Sequence, residues 1–142
     1  MYGKSPSNIV PSLALAANGD IPYFRVLGSG YNTPDGTGIR DYSHITDLAN
    51  GHVMAIKKLY SQPNVYTYNL GTGRGYSVLE TIKAFEKASG REIPYKIEAA
   101  RAGDIADMYA CRDTAREENR WTAKNGIEDI CRQAWKWHNK LY

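Results

Sequence analysis

The chain has 142 residues, 42% of them apolar and 23% charged, with a net charge of +3. That mixture describes one globular unit and excludes a disordered chain. No stretch approaches the roughly 20 apolar residues of a spanning helix, and the basic residues are scattered, so neither a membrane nor a nucleic acid is an expected partner.

From the amino end, Ile9 to Ala17 is an apolar run with Pro11 suited to a first helical turn, and Asn18-Gly19-Asp20 ends it. Residues 21–27 read as a short strand. Residues 28–38 form a loop dense in glycine, proline and other turn formers, long enough to be functional. Residues 39–45 alternate as a second strand. Asp47 is placed to cap a helix over 48–60, where Ala49, Val53, Ile56 and Tyr60 recur at helical spacing. Residues 65–70, Val-Tyr-Thr-Tyr-Asn-Leu, are the strongest strand pattern in the chain.

Gly71-Thr72-Gly73-Arg74-Gly75 follows, and Ser77-Val78-Leu79-Glu80 is a capping-box pattern opening a helix that runs to Gly90, with Val78, Ile82 and Phe85 on its apolar face. Residues 93–97 read as an edge strand, because Pro94 cannot donate to a ladder. Asp113 is placed to cap a short helix to Arg120. A last helix spans about 126–140 with Ile127, Ile130, Cys131, Ala134 and Trp137 on one face. The order is α/β: a mixed small sheet with flanking helices, in which helices 48–60 and 78–89 flank strand 65–70. One central strand is a poor core, so the pattern reads as part of a larger unit.

Three constellations could carry chemistry. The glycine run 71–75 is GxGxG rather than GxGxxG, and no acid closes a second strand about 20 residues on, so a turn is a stronger reading than a dinucleotide loop. In Thr33 to Tyr42, Arg40 stands at the end of a tight loop where its planar fork could grip a phosphate, with Asp41 holding Arg40 or the loop in shape; a plain surface ion pair is the competing reading. In Arg101-Ala102-Gly103-Asp104, an arginine and an acid flank a glycine turn and could clamp a diphosphate or a ribose hydroxyl; an ordinary surface loop is the alternative. Cys111 and Cys131 are not paired in a CxxC pattern, and no histidine stands near them at ligand spacing, so they read as reduced thiols with no metal site. His52 reads as packing or surface, and His138 suits a helix end. Without an export signal, a cytoplasmic location is expected.

The run Thr33-Pro34-Asp35-Gly36-Thr37-Gly38-Ile39-Arg40-Asp41-Tyr42-Ser43-His44, followed by Asp47-Leu48-Ala49 and His52, resembles the UDP-glucose (UDP-galactose) 4-epimerases, which are extended short-chain dehydrogenase/reductases. Pro6-Ser7-Asn8-Ile9-Val10-Pro11, Tyr68 to Gly73, Ser77 to Glu80 and Arg101-x-Gly103-Asp104 extend the resemblance over essentially the whole chain. It implies a carboxyl-terminal substrate-binding portion, residues 1–142 as one domain, lacking the NAD-binding Rossmann half. Within it, about 48–70 would pack on that half.

The resemblance also implies residue roles. Asn8 and Ile9 would sit by the diphosphate and sugar. The strand at Arg25 and Leu27 would meet the uracil, largely through backbone groups. Arg40 and Arg101 would bind the diphosphate and Asp104 the ribose. Met108 would stand where room for an N-acetyl group is controlled. An aromatic residue is usual at Leu27 and a small one at Arg25. The family's Tyr-x-x-x-Lys pair has no counterpart: Tyr2 is followed four residues on by Pro6, Tyr60 by Asn64 and Tyr109 by Asp113. The expectation is therefore a UDP-sugar-binding portion, inactive alone and binding no NAD by itself, whose partner is a Rossmann half or a second copy covering an exposed apolar face. A non-catalytic UDP-sugar-binding or regulatory module, a portion of another sugar-nucleotide epimerase or dehydratase, and a ligand-free structural remnant remain as alternatives.

Overall fold

The computed structural model describes residues 8–141; Pro6 and Ser7 of the first motif lie outside them. Helix α1 (Ile9–Asn18) ends as its sequence dictates. Gly19 takes φ 82°, its amide reaches the Ala16 carbonyl, and the Asp20 amide reaches that of Leu15. Strand β1 (Phe24–Leu27) buries Phe24 and Val26 and turns Arg25 outward.

Strand β2 is only Ile39–Arg40, not 39–45. The chain leaves the sheet because His44 caps helix α2 (Ile45–Ser61), its Nδ1 accepting from the Thr46 amide at 3.2 Å. Asp47, expected as the cap, lies inside the first turn. Its carboxylate instead accepts from the Lys124 and Asn125 amides and the Asn125 side chain, while its carbonyl accepts from the Trp121 indole, tying α2 to the 121–126 loop.

Strand β3 (Tyr76–Ser77) leads into helix α3 (Val78–Ser89). Ser77 and Glu80 close a complete capping box, and Gly90 ends the helix at φ 67°. Strand β4 (Tyr95–Glu98) starts two residues later than its pattern suggests, although the Pro94 carbonyl before it already accepts from the Phe24 amide. Strand β5 (Asp107–Met108) follows. Helix α4 (Asp113–Asn119) has Arg112 rather than Asp113 at its cap position, and helix α5 (Ile127–Leu141) closes the described chain.

The strands form two small sheets. β1 pairs parallel with β4. In the second sheet β2 lies between β3, antiparallel, and β5, parallel. The five helices and two sheets make the chain α/β.

Residues 65–70 make no ladder, contrary to their sequence pattern, and no βαβ unit forms around them. A strand exists through its partner, and among the described residues none runs beside this segment. Val65 is 90% exposed, and Tyr66 stacks on Tyr68 with ring centroids 6.0 Å apart.

The core gathers where α1, α3 and α5 meet under β1, around Leu13, Val26, Ile82, Phe85, Ile93 and Cys131. On α5 the inward positions are Ile127, Cys131, Trp135 and His138, three or four residues apart. Trp137 falls off that stripe and is 60% exposed, unlike its expected place on the apolar face. The apolar row Val53, Ile56 and Tyr60 of α2 faces outward, while Asp47 and Gly51 form the buried side.

Candidate functional site

A cleft of about 600 Å³ opens between the amino end of α1, residues 21–27, β2 and the 101–104 turn. Its walls include Asn8, Ile9, Arg25, Leu27, Arg40, Arg101 and Asp104, which come from segments up to 96 positions apart in the chain (8 to 104). Met108 does not line it. That residue is 58% exposed on β5, in parallel register with Arg40.

Each wall is positioned by an identifiable device. At α1, Asn8 is the cap residue yet makes no side-chain capping bond, and Ile9 and Ser12 line the cleft beside it. The amino end of a ten-residue helix thus borders the cleft, where its dipole favours negative charge.

Along β1, the Phe24 amide donates to the Pro94 carbonyl just before β4 at 2.7 Å, and the Gly28 amide, just after β1, donates to the Glu98 carbonyl at 2.9 Å. Because alternate residues of a strand turn opposite ways, the Arg25 and Leu27 peptide groups point to the other edge. The Arg25 guanidinium bonds to Glu98 at 2.7 Å, and that bond and the carboxylate's charge raise its already high pKa.

Arg40 is held at three points. It donates to the Asp104 carboxylate at 2.6 Å, the Ile105 carbonyl at 2.9 Å and its own Ile39 carbonyl at 2.7 Å. An arginine has five N–H bonds, so two are left for other acceptors. Arg101 meets the same Asp104 carboxylate at 3.5 Å and is otherwise open, its side chain 66% exposed.

The strand carrying Arg40 is fixed from both sides by buried polar networks. On one side Thr37 is fully buried, and its hydroxyl accepts from the Val78 and Leu79 amides. Asp35 accepts from the Thr37 amide and hydroxyl and from the Ser77 hydroxyl. Burial pushes the Asp35 carboxyl up, but the hydrogen bonds from Ser77 and Thr37 outweigh it and leave the group below its ordinary range. On the other side Asp41 accepts from the Thr72 amide and hydroxyl, the Gly73 amide and the Ala110 amide.

These networks decide what the glycine run does. Two of its amides are taken by Asp41, a Cβ on Gly71 would collide with Asp41 and Ala110, and a Cβ on Gly75 would collide with Ile39. The amino end of α3 is filled by Ser77 and Thr37. A dinucleotide phosphate needs free amides at such a turn, so residues 71–78 do not fit NAD.

Sequence reasoning missed Ser12, Tyr23, Tyr42 and Val78 on the cleft wall. The excess of tyrosine, 11 against 2 phenylalanines, was the available signal for the aromatic part of it. Burial raises the pKa of the Tyr42 phenol, which keeps it neutral and a hydrogen-bond donor.

The chain is similar to curated UDP-glucose 4-epimerases: 48% identical to that of Bacillus subtilis (strain 168) over 134 residues and 47% to that of Homo sapiens over 135. These matches cover 94% and 95% of the chain. They span only 40% and 39% of the relatives' own length.

Among solved structures, the UDP-glucose 4-epimerase of Stenotrophomonas maltophila with bound NAD and formylated UDP-arabinopyranose superposes with a TM-score of 0.96 at 43% identity, over 99% of this chain and 42% of that one. The Bifidobacterium longum enzyme in complex with NAD+ and UDP gives 0.92 at 47% identity, over 97% and 41%. The fold therefore matches the carboxyl-terminal part of the epimerases. Residues 1–71, half of the chain, match the model of the NAD dependent epimerase/dehydratase family, and the chain belongs to that family.

Proposed function

We propose that this chain is the sugar-nucleotide-binding portion of a UDP-glucose 4-epimerase, an enzyme that interconverts UDP-glucose and UDP-galactose with NAD. The observation that carries the reading is the convergence of Arg40 and Arg101 on one cleft beside the amino end of α1. Two guanidiniums and a helix dipole suit a diphosphate. Asn8 and Ile9 lie at the sugar side of that diphosphate. Asp104 accepts from the ribose. The outward peptide groups of Arg25 and Leu27 offer alternating donors and acceptors to the uracil edge. Met108, outside the cleft wall, reaches the sugar only after turning inward from β5.

Catalysis and NAD come from the rest of a full-length epimerase. The chain spans about 40% of its relatives' length, and none of its tyrosines is followed four residues later by a lysine. That remainder covers the outward row Val53, Ile56 and Tyr60 of α2 together with residues 65–70. A reducing, cytoplasmic setting suits the free thiols Cys111 and Cys131. Among the described residues no helix is long and apolar enough to cross a membrane.

Calorimetric titration tests this reading. UDP is expected to bind the chain weakly, since part of the pocket comes from elsewhere, and NAD not to bind. Arg40→Ala or Arg101→Ala should each weaken UDP by about 1.5–3 kcal/mol, the loss of a charge-assisted hydrogen bond. Unchanged affinity in both variants would remove the site assignment.

A further inference from the structure

The two-stranded sheet has an open side. Strand β4 pairs with β1 along one edge, and among the described residues no strand lies along the other. The Pro94 and Glu98 carbonyls accept from the β1 side, at Phe24 and Gly28. Peptide groups alternate along a strand, so those of Lys96 face β1 and those of Tyr95 and Ile97 face the open edge. None of the residues from Tyr95 to Glu98 lines the cleft. The register sets Tyr95 and Ile97 beside Phe24 and Val26, on the sheet face that covers the core. Yet Tyr95 is 45% and Ile97 55% exposed, while Phe24 and Val26 are buried. The core stops short of β4 and leaves an apolar strip beside unpaired backbone. Such an edge is a template for another strand.

Lys96 and Glu98 stand on the opposite face, one on either side of Ile97 in the chain. That order selects the partner. A second copy turned about a two-fold axis through Ile97 runs antiparallel to the first. Ile97 of one copy then meets Ile97 of the other, and Lys96 of each meets Glu98 of the other. Because the Ile97 peptide groups face outward, this central pair is the kind that exchanges both its backbone hydrogen bonds. A lysine at an edge ordinarily keeps other strands away; here the same strand carries the answering acid two residues on. Opposite charges facing across strands stabilise a pair, whereas a parallel strand in register would set lysine against lysine. Both groups are already ordered on that face. Lys96 Nζ rests 4.2 Å from the Tyr23 ring centroid, and Arg25 holds Oε2 of Glu98 at 2.6 Å.

We propose that β4 is a contact between two copies of this chain, joining their sheets in the order β1-β4-β4-β1 about a two-fold axis. The surface is separate from the outward row of α2. An edge of four residues makes a small contact, so the dimer is weak.

Sedimentation equilibrium up to about 1 mM chain tests this, with Ile56→Lys in every sample so that the α2 row takes no part. Lys96→Glu leaves two acids on the edge, and Glu98→Lys leaves two lysines. Each alone is expected to weaken the dimer by about ten-fold or more, since like charges then face each other. An equimolar mixture of the two sets acids against lysines and should restore affinity to within about three-fold of the parent. Amide hydrogen exchange gives a readout that needs no substitution in β4. The Ile97 amide should gain protection as concentration rises, and the Lys96 amide, which faces β1, should not change. A monomer at the highest concentration, a dimer indifferent to both variants, or a mixture that stays dissociated overturns the proposal. Protection of Ile97 that appears only on adding an epimerase fragment with the NAD-binding part gives the edge to that fragment and overturns it as well.

Discussion

Single side chains here differ in ways that chemistry can read directly. Burial pushes the Cys131 thiol up to about 12, whereas Cys111 is exposed. Since the thiolate is the reactive form, a disulfide reagent at neutral pH should modify one thiol in the native chain and two after unfolding. Two fast equivalents in the native state would contradict the packing around Cys131. Asp35 gives a pH signature. Its folded pKa is depressed, so its contribution to stability is present above the ordinary carboxylate value of about 3.9 and is lost as pH falls through the folded value. Melting temperatures of the wild type and Asp35→Asn should therefore differ at pH 6, and the gap should narrow as pH falls below the ordinary carboxylate value. A gap that does not narrow with acidification would show that the side chain acts by shape, not charge. Arg40, Arg101 and Asp104 could be picked out in the sequence as charged residues beside glycine turns, but their meeting at one cleft could not. Asp41 was half legible: its role as a brace was visible, but its partners, 31 and 69 residues away, were not.

Elements were read best where the signal is local. The capping box at Ser77, the glycine stops at Gly19 and Gly90 and the periodicity of α3 all appear as their sequences dictate. Ser77→Ala should cost about 1 kcal/mol for the cap, and more through the Asp35 contact, as a drop in melting temperature. Gly36 takes φ 79°, and a Cβ there would run into the Ser29 carbonyl. Gly36→Ala should thus destabilise by at least about 1–2 kcal/mol, against the usual gain from replacing glycine; a neutral melt would refute that loop geometry. Elements failed where the deciding partner is remote. Residues 65–70 have every local property of a strand and no strand beside them. Helix α2 begins at Ile45 with His44 as its cap, while Asp47 is claimed by the backbone amides of residues 124 and 125, 77 and 78 positions later.

At the scale of the molecule, the packing of α1, α3 and α5 gives one core. The outer face of α2, with Val53 at 48%, Ile56 at 51% and Tyr60 at 87% exposure, contributes nothing to it. We propose that a partner covers this face. Sedimentation of the 142-residue chain should show concentration-dependent association that Ile56→Lys relieves, and relief as well by an epimerase fragment carrying the NAD-binding part. A monodisperse monomer at all concentrations would contradict it. The sequence read as part of a larger unit from one strand pattern at 65–70, a segment that forms no ladder among the described residues. It could not show the cleft, whose walls are assembled from five separate segments. The central claim is that this cleft is the sugar-nucleotide site, and backbone amide chemical shifts recorded during a UDP titration test it most directly. The account predicts that the largest shifts fall at Ile9, Arg25, Leu27, Arg40 and Asp104 and spare Thr72 to Gly75; shifts centred on that glycine loop, or none at all, would contradict it.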